Sequence, residues 1–129
     1  IYDFLRGEGR QESPATARRL DEGDDPGAVI GQAAMEGGDA LAIEALELFV
    51  ALYGAEAGNL ALKSLAVGGV MIGGGIAPRI LPALRDGRFM ESFLAKGAFG
   101  ELLQTMPVTV VTEPEAPLLG AAHYARRLL

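Results

Sequence analysis

The chain of 129 residues contains no cysteine. That excludes disulfide frameworks, zinc knuckles and thiol catalysis together. It is compatible with a cytoplasmic setting, which is the expected one. Basic charge is also scarce. Lys and Arg number 11 against 17 Asp and Glu, for a formal net charge of −6. A nucleic-acid backbone is held by basic clusters, so nucleic acid is not the expected partner. The only adjacent basic pairs, Arg18–Arg19 and Arg126–Arg127, are expected on solvated surface or near helix ends. Long apolar runs are missing too. The most apolar long window, Ala40–Tyr53, is interrupted by Glu44 and Glu47 and is too short and too charged to span a bilayer. No charged segment leads into an apolar signal core, so secretion finds no support.

What is present suits one packed domain. Half of the chain is hydrophobic, and its length is that of an ordinary single domain. Ile1–Arg6 reads as the end of a helix or a short one. Gly7–Asp24 reads as a polar loop with a helical turn over Ala15–Leu20. Asp25-Pro26 is a helix-start signal, with an acid as N-cap and Pro in the first turn. The helix would be Ala28–Glu36, ended by Gly37-Gly38, and Asp39 would cap the next.

Ala40 to about Ser64 is the clearest element. Apolar residues surround most of its cylinder, and Glu44, Glu47, Ala51, Gly54 and Gly58 form a narrow stripe of charged or small residues. Such a helix is expected to be mostly buried. Gly54 and Gly58, one turn apart, call for close approach by a ligand or by backbone, the second in the form of helix–strand packing. Val67–Gly73 reads as a buried strand. A helix follows from about Ala77 to Leu84, then two short ones over Phe89–Lys96 and Phe99–Gln104. Pro107–Thr112 reads as a second strand, and Ala116–Leu128 as a closing helix. The pattern is α/β with only two strands, too few for a covered central sheet. Partner strands are expected from outside these residues.

The stretch "VGGVMIGGGIAPRI", Val67–Ile80, places Gly73, Gly74 and Gly75 where a strand hands over to a helix. A phosphate-binding P-loop needs Lys and Ser or Thr after its last glycine, and Gly75 is followed by Ile76. A dinucleotide fingerprint needs a third glycine where Pro78 stands. Two readings stay open. One is a base or ribose lying flat on bare backbone beside the free N–H groups of a helix start. The other is a tight turn that needs positive φ.

"ALELFVALYGAEAGNLALKSLAVGGVMIGGGIAPRIL", Ala45–Leu81, resembles the C-terminal half of bacterial-type glucokinases, members of the actin-like superfamily of sugar kinases and Hsp70-type ATPases. "GDALAIEALELFV", "FLAKGAFGELLQTMPVTVV" and "PLLGAAHYA" resemble further family segments, in the right order. The resemblance implies a fold of two ribonuclease-H-like lobes with nucleotide between them. Residues 1–129 would be a helix-rich C-terminal piece of the adenosine-binding lobe. It implies that Gly73, Gly74 and Gly75, with Ile76 beside them, form the adenosine motif, with Asn59 and Gly120 in support. It also implies ATP and Mg²⁺ as cofactors, glucose as substrate and a homo-oligomer.

The family's two phosphate loops, its Asn-Asp pair with the general base and its sugar-binding Glu and His have no counterpart in these residues. No catalytic residue and no metal ligand is therefore assigned here. His123 matches no sugar ligand and is expected on the surface. The intact protein would be a glucokinase, and these residues alone would be inactive. The rival readings are a non-catalytic nucleotide-binding or dimerisation module and the effector domain of a sugar-responsive regulator.

Overall fold

The structure, a computed structural model, describes residues 1–128. Helices dominate it. Three short ones come first: α1 (Tyr2–Gly7), α2 (Pro14–Asp21) and α3 (Pro26–Glu36). The long α4 (Ala40–Ser64) leads to strand β1 (Val70–Ile72). A crossover of short helices follows, α5 (Ile76–Arg79), α6 (Leu81–Leu84), α7 (Arg88–Leu94), a 3₁₀ turn at Gly97–Phe99 and α8 (Gly100–Gln104). Strand β2 (Val108–Val110) and helix α9 (Ala116–Ala125) complete the order.

Local chemistry sets most of these boundaries. Asp25 caps α3 by accepting the Ala28 N–H, and Pro26 stands at its first position. Gly37 ends α3 with φ +74, a left-handed conformation that favours glycine. Asp39 accepts the N–H groups of Leu41 and Ala42 and starts α4. The polar segment expected as a loop with one turn holds a two-turn helix, α2. Its Ser13 side chain accepts the Thr16 N–H, and Pro14 follows the cap. The helix expected over Ala77–Leu84 is broken into α5 and α6 at Ile80, just before Pro82, which cannot donate a backbone hydrogen bond.

Helix α4 is the spine. One face packs on α7, where Gly54 and Gly58 bring the two backbones together. The close approach is therefore helix on helix, not helix on strand. Phe89 and Phe93 of α7 are buried in the main core with Val50, Ile72, Leu103 and Met106. Each such phenyl ring contributes on the order of 2–3 kcal/mol through removal from water. A smaller cluster of Tyr2, Leu5, Leu41, Ala42 and Ala45 seats α1 on the start of α4.

The expectation of a mostly buried α4 is corrected. Leu52 and Leu60 are more than half exposed, because the buried face is built from glycine and alanine approached by backbone. β1 and β2 pair in parallel, with Val70 opposite Val108 and Ile72 opposite Val110. β1 is not the buried strand expected over Val67–Gly73. It is three residues long, and Met71 is 75 % exposed, since nothing covers that face among the described residues. α9 buries no residue.

Candidate functional site: an apolar cavity beside a triple-glycine turn

β1 ends at Ile72, and Gly73, Gly74 and Gly75 carry the chain into α5. The three glycines have different reasons for being there. Gly74 has φ +102, so the turn itself requires glycine. Gly75 has φ −82, which any residue adopts. A β-carbon on Gly73 or Gly75 would meet nothing within 4 Å. The fold of the described residues thus explains one glycine and leaves the other two presenting bare, exposed backbone.

Ile76, immediately after the turn, forms part of the wall of a cavity of about 850 Å³ between α1, α3, α4 and α5. Its apolar lining comes from Ile30 and Met35 of α3, Leu46 and Phe49 of α4, and Ile80. Polar groups are few: Asp25, Gln32, Glu36 and Arg79. Arg19 donates to Gln32 at 3.1 Å, and Gln32 donates to Glu36 at 2.7 Å, so two of these groups are held in one chain of hydrogen bonds. Arg79 makes no ion pair among the described residues. An apolar bed with a few polar groups at its edge is the usual make-up of a small-molecule pocket.

Tyr2 also lines the cavity, and its hydroxyl donates to Asp39 at 3.4 Å. Burial raises the Tyr2 phenol well above its ordinary pKa, and the neighbouring Glu12 and Asp39 carboxylates raise it further. Burial pushes the Asp39 carboxyl up, but bonds from Thr16 and from the Ala42 and Ser13 backbone outweigh it and leave the pKa lowered. Asp39 is therefore a carboxylate at neutral pH.

Asn59 and Gly120, expected to support the adenosine motif, lie away from the cavity, whereas His123 is on the surface as expected. Asn59 is exposed, donates to Glu56 at 3.0 Å and does not line the cavity. Gly120 and His123 are exposed on α9. α5 is a single turn, so the helix start expected after the glycines offers little dipole. The sequence reading missed Tyr2, Ile30, Leu46 and Phe49. Their periodicity marks them as apolar helix faces, but only the tertiary fold sets them against Ile76.

A family model described as Glucokinase matches residues 1–128. The chain belongs to the glucokinase family. A glucokinase of Trichormus variabilis is 44 % identical over 139 aligned positions, covering 99 % of this chain and 41 % of that protein. A glucokinase of Synechocystis is 46 % identical, covering 95 % of this chain and 38 % of the relative. A crystal structure of glucokinase from an Antarctic psychrotroph superposes with a TM-score of 0.69 at 41 % identity, over 74 % of this chain and 30 % of that one. The chain thus spans about two-fifths of the length of these two curated relatives.

No three His, Asp or Glu side chains come together to hold a metal ion among the described residues, so they do not fit a Mg²⁺ cage. No described helix is long and apolar enough to cross a membrane.

Proposed function

We propose that this chain is the C-terminal portion of a glucokinase, and that the intact protein transfers the γ-phosphoryl group of ATP to the 6-hydroxyl of glucose. The chain would contribute part of a ribonuclease-H-like lobe and one wall of the nucleotide site. Adenosine would lie on the bare backbone of Gly73 and Gly75, with Ile76 turning it toward the apolar cavity. The observation that carries this reading is the open space above two glycines that the turn does not require, next to a cavity of about 850 Å³.

Phosphoryl transfer depends on positioning, charge neutralisation and a group that accepts the hydroxyl proton. The cavity holds the first of these for the nucleoside. The proton acceptor, the phosphate clamps, the sugar contacts and Mg²⁺ would belong to the rest of the intact protein, which would be a cytoplasmic homo-oligomer. The test is a coupled assay of the full-length gene product with ATP and glucose, beside residues 1–129 alone. Glucose 6-phosphate is expected from the first only. Its formation by pure residues 1–129, or its absence with the folded full-length protein, would overturn this proposal.

A further inference from the structure

Three helices here begin with a side-chain cap, and one of the caps differs from the other two. As caps, Ser13 and Asp25 serve groups three residues on, at Thr16 and Ala28. Ser13's own backbone N–H, however, reaches Asp39. Asp39 is 3 % exposed. Its Oδ1 does the capping, accepting Leu41 N–H at 2.9 Å and Ala42 N–H at 3.1 Å. Its Oδ2 faces away from α4 and accepts the Ser13 N–H at 3.3 Å and the Tyr2 hydroxyl at 3.4 Å. Serine or threonine would cap the helix as well. Burying a carboxylate is costly unless its remaining lone pairs are used. What the carboxylate adds over a hydroxyl is the second oxygen, and that oxygen reaches α1 and the start of α2.

The link leads to the cavity. Ile1 and Tyr2 form its wall on the α1 side. α1 has only six residues, too few to hold a helix by itself, so its position depends on what it is tied to. Its ties are the small apolar cluster and the Tyr2–Asp39 hydrogen bond. Glu12 also faces the Tyr2 hydroxyl, but it is engaged by Arg6 at 3.3 Å and is the more exposed acceptor.

We infer that Asp39 and Tyr2 are positioning residues for nucleotide binding: the buried carboxylate holds the tyrosine ring, and the ring fixes the α1 wall of the cavity. Neither touches the reacting atoms. The inference rests on the reading of the cavity as the nucleoside site.

The test uses the full-length protein with Tyr2→Phe, Asp39→Asn, the double variant and Gly75→Val. The readouts are the KM for ATP, the KM for glucose, kcat, and the Kd of the fluorescent nucleotide mant-ADP. Asparagine keeps the cap, and phenylalanine keeps the ring. Both single variants are expected to weaken mant-ADP and raise the KM for ATP by about threefold to tenfold, the range of one lost hydrogen bond. The KM for glucose and kcat should stay within about twofold, and the double variant should be no worse than the poorer single one. If Gly75→Val weakens the nucleotide while Tyr2→Phe does not, the positioning role is refuted and the nucleoside reading stands. If none of the variants affects the nucleotide, both readings fall. If Tyr2→Phe moves all the constants together, the pair is merely structural and the inference is overturned. Should Asp39→Asn not fold, Tyr2→Phe decides alone.

Discussion

The carbonyl oxygen of Phe89 lies where a β-carbon on Gly54 would have to stand, so α4 and α7 cross backbone against backbone. One turn later a β-carbon on Gly58 would come within 2.5 Å of the Phe93 carbonyl oxygen. Alanine favours a helix over glycine by about 1 kcal/mol. Here that gain is outweighed, because neither neighbour is a flexible side-chain end. Gly54→Ala is expected to lower the stability of the full-length protein by about 1–3 kcal/mol through overpacking. A denaturant melt with an unchanged or higher midpoint would contradict this crossing.

Asp39 ties stability to pH. Its carboxyl is lowered in the folded state, so its contribution is complete above the ordinary carboxylate range and is lost as pH falls through the folded value. Tyr2 is raised, so its contribution is complete below the ordinary phenol value, about pH 10, and declines above it. Exchange of the Leu41 and Ala42 amide hydrogens should lose protection below about pH 4, and Asp39→Asn should flatten that loss. Equal pH dependence in the variant would place the effect on other carboxylates.

The exposed apolar surface has a consequence for the segment taken alone. Leu52 and Leu118 are 53 % and 68 % exposed, and β1 pairs with β2 along one edge only among the described residues. Open edges and apolar patches associate. Residues 1–129 are expected to self-associate in sedimentation, and Leu52→Glu with Leu118→Glu should reduce this. A monomer that melts in one cooperative step would contradict the expectation.

Much of this was legible in the sequence. The caps Asp25 and Asp39 and the span of α4 follow from local chemistry, because capping and periodicity act within a few residues. The two strands fall inside the short apolar run and the β-branched run that suggested them. Other features are not local. The leucine face of α4 is outward because α7 docks on the glycine face, a choice made by backbone approach rather than by hydrophobicity. The glycine turn was visible as a motif, but the cavity beside it needs α1 and α3 to fold back on α4. Nothing in the spacing of Tyr2 and Asp39, 37 residues apart, announced their hydrogen bond.

In the function proposed above, the bare backbone at Gly73 and Gly75 receives the adenosine of ATP. Gly74 cannot test it cleanly, since φ +102 strains any side chain placed there. Gly75 can, since its backbone accepts a side chain and its surroundings are open. The decisive measurement is the pair of KM values for ATP and glucose in full-length Gly75→Val. With adenosine seated there, the KM for ATP is expected to rise by about tenfold or more, with the KM for glucose within about twofold, because only one substrate's binding surface is filled. Unchanged values for both substrates would contradict it.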